Sequence, residues 1–146
     1  PIINCCMMEI NEQPKLRFVG VDILNIQFTS HAPASNVEKK NINVNCVPKV
    51  FFPSERPSLF HVIMDLELNS ENLFDLALRA VGTFELNQRI TDELKRTFIN
   101  VNAPAIMFPY VRSFITTLTA NMGQSVGPLV MPTQFFSGAL EEFKEE

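Results

Sequence analysis

The first half of the chain is dominated by stretches in which apolar and polar residues alternate. One stretch runs from Leu16 to Phe18, and a second, in a different phase, runs from Leu24 to Phe28. Alternation with a period of two residues predicts β-strands, and the change of phase indicates a bulge or bend near residues 20–23. A shorter alternating stretch, Ile42 to Cys46, predicts another strand.

The clearest strand prediction covers residues 60–68. The turn-forming sequence 69–72 separates it from another alternating stretch over residues 74–86, and this arrangement predicts an antiparallel hairpin. Residues 48–57 contain three prolines, which predict a loop or an irregular edge segment, since proline cannot donate to a strand ladder.

After residue 90 the apolar spacing becomes helical. Thr91 is a candidate N-cap for a short helix with acidic residues in its first turn, and Asn102 is one for a longer helix with Pro104 near its start. Pro109 should kink or restart this longer helix, and Gly123 suits its C-terminal end. One apolar face is expected to comprise Met107, Val111, Phe114, Ile115, Leu118 and Met122.

The remaining chain completes the predicted fold. Residues 124–132 contain Gly and Pro and predict a loop, Phe135 to Phe143 predicts a last helix, and residues 141–146 form an acidic tail. Strands followed by helices predict an α+β class, here a four-stranded antiparallel sheet followed by two main helices packed on one face. We expect a single domain over residues 1–146, with residues 1–14 a flexible N-terminal extension.

Composition adds a surplus of phenylalanine. The 146 residues include 13 Phe, one Tyr and no Trp, and 46% hydrophobic residues are enough for a folded core. A domain of this size has a high surface-to-volume ratio, so some Phe rings are expected in a groove or an interface. The alternative is that they fill the core.

Charge and the length of the apolar stretches argue against two classes of partner, nucleic acids and membranes. The net charge is −4 with no dense basic cluster, which disfavours nucleic-acid binding, because that requires a cationic face. Apolar stretches are too short to predict membrane insertion. The apolar start of the chain, residues 1–8, lacks the basic region of a signal peptide.

Catalytic and metal-binding chemistry is not predicted. Cys5, Cys6 and Cys46 do not form a disulfide framework, which fits a reducing cytoplasm, and together with His31 and His61 they lack metal-ligand spacing. No phosphate-binding loop or nucleophile motif occurs. A strand carries two acids on one face, at positions 65 and 67, but this is the ordinary pattern of a solvent-facing strand. We therefore predict no enzyme, metal or cofactor.

One segment resembles a known family. Residues 102–112, Asn-Ala-Pro-Ala-Ile-Met-Phe-Pro-Tyr-Val-Arg, are similar to the stretch that opens the main helix of SecB, the protein-export chaperone. Residues 129–135, Leu-Val-Met-Pro-Thr-Gln-Phe, resemble the segment after that helix, and Gly82-Thr83-Phe84 lies at the expected distance upstream. The resemblance covers approximately Leu16 to Leu140.

The resemblance implies an ATP-independent holdase chaperone of the cytoplasm. Such a protein binds unfolded polypeptides, including preproteins, in apolar grooves and keeps them competent for export. It assembles as a homotetramer, a dimer of dimers, and the face of the main helix and parts of the first strand are candidates for subunit contacts. Phe51 and Phe52 are the most interesting groove residues, because a strand core is least expected to bury both in a proline-rich segment. The candidate groove residues are Phe28, Phe51, Phe52, Phe60, Phe74, Leu76, Leu78, Phe84, Phe108 and Phe135.

Two departures from the family weaken the export role. The acidic residues that dock the motor ATPase SecA correspond here to Asn25, Thr29 and Ala77, and the tail 141–146 lacks the Cys and His that bind zinc in the family. One alternative is therefore a SecB-like chaperone of an antitoxin or another dedicated client, without SecA. Another is a carrier of a small apolar ligand, for which we expect a closed pocket rather than a long open groove.

Overall fold

A computed structural model describes residues 16–31, 41–71, 73–87, 89–124, 126–132 and 139–143. The proposed extension 1–14 lies outside these residues, as do Cys5 and Cys6. A π-helical turn, Phe98–Asn102, joins the two helices. The strands and helices described are β1 (Leu16–Ser30), β2 (Ile42–Phe51), β3 (Leu59–Ser70), β4 (Phe74–Leu86), α1 (Asp92–Thr97), α2 (Ala103–Ala120) and β5 (Glu141–Glu142).

The sheet has the strand order β1-β4-β3-β2-β5. Its first four strands pair antiparallel, and the predicted hairpin is formed by β3 and β4 in continuous register from Leu59↔Glu85 to Ser70↔Phe74. The short strand β5 adds parallel to the outer edge of β2. The α+β class and the antiparallel four-stranded sheet are confirmed, and β5 is an addition that the sequence did not predict.

Strand β1 is irregular at two places. Its register shifts between Phe18 and Gly20, close to the predicted bend, and again between Leu24 and Gln27, where no shift was predicted. Asn25, inside the second shift, has a φ of 53°, in the left-handed region. Asn tolerates this conformation better than most residues, and such bulges are frequent in edge strands like β1.

The proline-rich interval 48–57 is more regular than predicted. Strand β2 continues through Pro48 to Phe51, which pairs with His61. The prediction of a loop or irregular segment is therefore wrong for residues 48–51 and holds for residues 52–57. A strand at the edge of a sheet accepts proline, because the missing backbone N–H can lie on the side where no neighbouring strand requires a hydrogen bond.

The core lies between the sheet and α2. Side chains at even positions of β3 and β4 point to the helical side, and Met107, Val111 and Ile115 of α2 pack against them without exposure. A Cβ added at Gly82 would lie 2.8 Å from the Met107 sulfur, so glycine lets the helix approach the sheet closely. The packing of α2 on one face of the sheet is confirmed, as is its apolar face, but the described residues contain one main helix, α2, rather than the two that were predicted.

The helical region forms one continuous path. Thr91 caps α1 as predicted, since its Oγ1 accepts a hydrogen bond from the Leu94 N–H at 3.2 Å. The cap prediction for Asn102 is wrong, because this residue has helical backbone angles and no side-chain capping bond. Helix α2 also continues through Pro109 without restarting and reaches its C-cap at Asn121. Gly123 follows with a φ of 114°.

The loop after α2 is attached to the helix by side-chain bonds. Thr116 donates its hydroxyl to the Leu129 carbonyl at 2.7 Å, and the Leu129 N–H donates to Thr119 Oγ1 at 2.9 Å. Val126 and Met131 are buried. The predicted loop over residues 124–132 is thus confirmed for its described part, and it closes one end of the core.

The predicted last helix, Phe135 to Phe143, is wrong for residues 139–143. These residues are extended, and the Phe143 N–H donates to the Val50 carbonyl at 2.7 Å. The first part of the predicted helix, with Phe135, lies outside the described residues. A nine-residue segment that mixes apolar residues with Ser, Gly and two Glu does not by itself distinguish helix from strand, and here the open edge of β2 supplies partners for an extended backbone.

Candidate functional site

Six of the ten candidate groove residues are core residues. Each is at most 3% exposed in this chain: Phe60, Phe74, Leu76, Leu78, Phe84 and Phe108. The five that belong to the sheet lie on its inner face, on central strands with a neighbour on both sides. Their side chains do not reach the surface, so the core-filling alternative describes them. Phe28 is half-buried and stacks on Phe74 with 5.9 Å between ring centroids.

Phe51 is half-buried, Phe52 is exposed, and the two rings have different surroundings. The ring centroid of Phe51 lies 6.1 Å from that of His61 and 6.2 Å from that of Phe143. Phe52, 38% exposed, instead contacts Phe60 of the core at 6.4 Å. Consecutive residues in extended backbone point to opposite faces, so the end of β2 presents one aromatic ring to each side of the sheet.

Phe52 lies beside a shallow hollow at the start of the helical region. The Lys95 ammonium is 5.5 Å from the Phe52 ring centroid, a cation–π distance. Lys95 also lines the hollow, whose volume is about 240 Å³. Its other lining residues are Pro57, Ser58, Leu86, Asn87, Ile90 and Asp92. We call Phe52, Lys95 and this hollow the loop site; it combines apolar side chains with the charged side chains of Asp92 and Lys95.

The outer face of the sheet carries a second group, which we call the outer aromatic cluster: Phe51, His61, Arg79 and Phe143. Arg79 makes a two-pronged ion pair with Asp65, at 2.7 Å and 3.0 Å, and its guanidinium carbon lies 5.3 Å from the Phe143 ring centroid. The hydrogen bond to Asp65 raises the pKa of Arg79. The ion pair therefore fixes a permanently charged group against an aromatic ring.

His61 links the outer aromatic cluster to β4. Its Nδ1 lies 3.0 Å from Thr83 Oγ1. Burial lowers the pKa of His61, and the negative charge of Asp22 partly opposes this effect. The ring is thus biased towards its neutral form, which suits stacking on Phe51.

A larger hollow of about 580 Å³ lies on the outer face beside the second bulge of β1. It includes Asn25 and Ala77, two of the three positions compared with SecA-docking acids. Acids do occur next to these positions: Glu67 pairs with Ala77, and Asp75 pairs with Thr29. The hollow is lined by Leu24, Asn25, Gln27, Asp65, Leu66, Glu67, Ala77, Leu78 and Arg79. This patch is therefore charged and polar rather than apolar.

The outward side of α2 is almost without charge. Between residues 97 and 140 the sequence contains a single charged residue, Arg112. Tyr110 is 57% exposed, with its ring 5.2 Å from that of Phe18, and Ala105, Pro109 and Ser113 are exposed as well. Solvent-facing helix surfaces usually carry charged residues, so this uncharged face is typical of an interface.

The structure gives little support for metal or thiol chemistry in the part of the chain that it describes. There, no three His, Cys, Asp or Glu side chains group as metal ligands would. Burial, with a smaller contribution from Asp65, raises the pKa of Cys46 to about 12, and a protonated thiol is a poor nucleophile. Within the same residues, no helix is long and apolar enough to span a membrane.

Comparison with protein families decides the relationship. The family model described as preprotein translocase subunit SecB matches residues 41–135 of the chain, from β2 to the loop after α2. The chain belongs to the SecB family. This SecB-family chain is similar to the protein-export protein SecB of Anaplasma phagocytophilum, with 27% identity over 150 residues that cover 89% of this chain and 93% of that protein. It is also 29% identical to an uncharacterised protein of Methanocaldococcus jannaschii over 147 residues, 95% of this chain and 93% of that protein.

A solved structure confirms the SecB-like fold. The SecB-like chaperone of Mycobacterium tuberculosis, in complex with a ChAD peptide from the HigA1 antitoxin, has a TM-score of 0.65 to this chain at 16% identity. The match covers 82% of this chain and 88% of that one. At this identity the similarity concerns the fold alone.

Proposed function

We propose that this SecB-family chain is an ATP-independent holdase chaperone that binds extended segments of unfolded polypeptide. Phe51 and Phe52 carry the proposal, because these adjacent aromatic residues at the end of β2, the first half-buried and the second exposed, serve two different surface sites. Family membership supports a binding function rather than catalysis. We further propose that clients are kept soluble in the cytoplasm, where preproteins await export.

The binding mode follows from the edge of β2. Among the described residues, the outer edge of this strand is paired at Lys49 and Val50, and residues 42–48 remain available. An extended client can add its backbone to such an edge regardless of sequence, while its apolar side chains enter the aromatic sites. Burying one Phe-sized side chain contributes about 1.5–3 kcal/mol, so several such sites give tight binding that requires only hydrophobicity.

The oligomer is also a proposal. A homotetramer, arranged as a dimer of dimers, would cover the uncharged face of α2 and the open edge of β1. Leu24 and Ile26 of β1 are exposed, and an unpaired strand edge with apolar side chains is a surface that proteins usually cover. In such an assembly, binding sites of several subunits would align into a longer groove.

A dedicated client is the second candidate function. Asn25, Thr29 and Ala77 are not acidic, which argues against docking of SecA, although Glu67 and Asp75 lie beside two of these positions. The structural relative from Mycobacterium tuberculosis was solved with an antitoxin peptide, so the fold accommodates a specific client. We therefore retain a chaperone for an antitoxin, or for another single client, as the alternative to general export.

A carrier of a small apolar ligand has less support. Its expected feature is an apolar pocket enclosed by one chain. The larger hollow in the described structure is lined by Asp65, Glu67 and Arg79 and lies on the outer face of the sheet. Charged walls of this kind stabilise neither a hydrocarbon nor a fatty acyl chain.

Suppression of aggregation tests the holdase proposal. Stoichiometric amounts of the assembled protein, without ATP, should prevent light scattering by chemically denatured citrate synthase. Phe52→Ala should weaken client binding about 10-fold, because a loss of about 1.5 kcal/mol corresponds to that factor. Val130→Ala, a truncation at an exposed loop position, should change nothing. A properly assembled oligomer that suppresses no aggregation would contradict the proposal.

Calorimetry with purified SecA separates export from a dedicated client. We expect no measurable association if the acidic docking residues are required at positions 25, 29 and 77. Tight association that is lost on Glu67→Gln would instead identify the acids beside those positions as the docking residues.

A further inference from the structure

Strand β5 and its neighbours occupy a site that an extended polypeptide would use. We call Leu140–Phe143 the β5 segment. Its residues Glu141 and Glu142 pair in parallel with Lys49 and Val50, and the Phe143 N–H donates to the Val50 carbonyl at 2.7 Å. The chain therefore adds its own extended backbone to the β2 edge.

The side chain of Phe143 completes the resemblance to a bound peptide. Its ring meets Phe51 edge-on at 6.2 Å and receives the Arg79 guanidinium at 5.3 Å. Phe51 is the cross-strand partner of His61, and Arg79 is the cross-strand partner of Asp65. The Phe143 ring therefore contacts one residue from each of two pairs, which lie two positions before and two positions after Ile63 on β3. Ile63, which lies between these two pairs on the outer face, is only 7% exposed.

The attachment of the β5 segment is limited. Strand pairing involves two residues, compared with ten ladder pairs between β2 and β3. Both Glu side chains are exposed, and Leu140 and Phe143 are only half-buried. At its other end, the Leu140 N–H donates to Asn100 Oδ1 at 2.9 Å. A short strand held by one ring and a few hydrogen bonds opens more easily than the rest of the sheet.

From this geometry we propose that the β5 segment is a built-in competitor for client polypeptide. It pairs with the β2 edge at Lys49 and Val50 and places Phe143 in the outer aromatic cluster, and an extended client segment carrying an aromatic or large aliphatic residue displaces it. The inference rests on the proposed holdase function and adds regulation to it: weak clients are excluded, and clients with a strongly apolar segment gain the site.

The absence of Trp from the sequence permits a direct test in the full chain. Phe143→Trp places a unique fluorophore in the outer aromatic cluster. The client probe is reduced and carboxymethylated ribonuclease A, which lacks Trp. Saturating amounts should shift the Trp emission to longer wavelength as the ring moves into water. Phe143→Ala should bind the same probe about 3- to 10-fold more tightly, the factor expected when a site occupied most of the time becomes free. Val130→Ala serves as the matched exposed truncation.

The possible outcomes separate the two proposals. Tighter binding by Phe143→Ala together with the emission shift supports displacement. Equal affinities for the wild type and Phe143→Ala, or an emission that does not move at saturation, would overturn the competitor while leaving the holdase function in place. If no variant binds the probe, the holdase function is wrong and the competitor with it.

Discussion

The two faces of the sheet use the same alternating pattern for different purposes. On the inner face, Phe60, Phe74 and Phe84 are at most 1% exposed and contact α2, β1 or one another. On the outer face, the aromatic ring of Phe51 lies beside those of His61 and Phe143, and the cover is the short β5 segment that carries Phe143. Both faces are built from period-two strands, so the alternation alone does not tell which aromatic residues are free to bind.

The inner face of the sheet contributes to the stability of the fold, whereas the outer face leaves side chains that could contact a client. The inner face is closed by an 18-residue helix that continues from α1 through a π-helical turn, and by the loop that Thr116 and Thr119 hold. The outer face has no comparable cover among the described residues. Variants on the two faces should therefore separate effects on folding from effects on client binding.

The largest expected effect is on the inner face. Phe84→Ala should lower the free energy of unfolding by about 3–5 kcal/mol, because it leaves a cavity between Phe18 and Phe60, whose rings both contact it. Phe52→Ala, the same truncation at a 38% exposed position, should cost about 1 kcal/mol or less. Urea titration monitored by circular dichroism measures both. Equal losses would remove the distinction between core and surface aromatic residues.

Glycine substitutions test how closely the inner face is packed. Gly82→Ala should destabilise by about 1–3 kcal/mol, since the new Cβ would lie 2.8 Å from the Met107 sulfur and 3.0 Å from the Phe84 ring. Gly20→Ala is the matched control in the edge strand, where an added Cβ meets nothing within 4 Å. It should change stability by less than about 0.5 kcal/mol. A Gly82→Ala protein as stable as Gly20→Ala would mean that α2 moves away from the sheet without cost.

A smaller effect concerns His61 on the outer face. Burial lowers the pKa of His61 below its usual 6.5, so the folded chain binds this proton more weakly than the unfolded chain. Stability that is present above pH 6.5 is therefore lost as the pH falls through the pKa of the folded state. The urea midpoint should fall less for His61→Gln than for the wild type between about pH 7.5 and about pH 5. His31→Gln is the control, and an identical pH dependence in wild type and His61→Gln would contradict the assignment.

The smallest effect is chemical and leaves stability unchanged. Cys46 lies on β2 opposite Leu66, and burial raises the pKa of its thiol to about 12. At about pH 8 the thiolate fraction should be negligible, so iodoacetamide should label Cys46 far more slowly in the folded chain than in urea. Peptide mapping by mass spectrometry reports this residue separately from other cysteines. Equal labelling rates in the folded chain and in urea would show that the Cys46 thiol on β2 is accessible to solvent in the folded state.

Much of the fold could be predicted because its strongest signals are local. Period-two alternation identified β3 and β4 as a hairpin, helical spacing identified the buried face of α2, and acidic residues after Thr91 marked the start of α1. The resemblance of residues 102–112 to SecB was confirmed by the family match. These features depend on residues within one or two turns of one another, which sequence patterns report directly.

The site was harder to predict, since exposure depends on neighbours that are distant in the chain. Phe60 and Phe84 were candidate groove residues together with Phe51, yet they lie on the inner face of the sheet, whereas Phe51 faces outwards. Phe143 was assigned to a helix, because its pairing with Val50 joins residues more than ninety positions apart. Arg79, which had no predicted role, contacts this ring; its alternation with apolar residues on β4 was the available signal that it lies on the outer face.

The sequence by itself determined the α+β class, the hairpin, the apolar helix face and membership of the SecB family, since periodicity and a contiguous motif suffice for each. Only the tertiary structure decided which phenylalanines remain accessible, that the helices join through a π-helical turn, and that the β5 segment pairs with the edge of β2. The physical reason is that a local pattern specifies which side chains share a face, whereas burial depends on what packs against that face. For this protein, that packing separates a closed aromatic core from the two rings at the end of β2, of which Phe52 is exposed and Phe51 is half-buried beside Phe143.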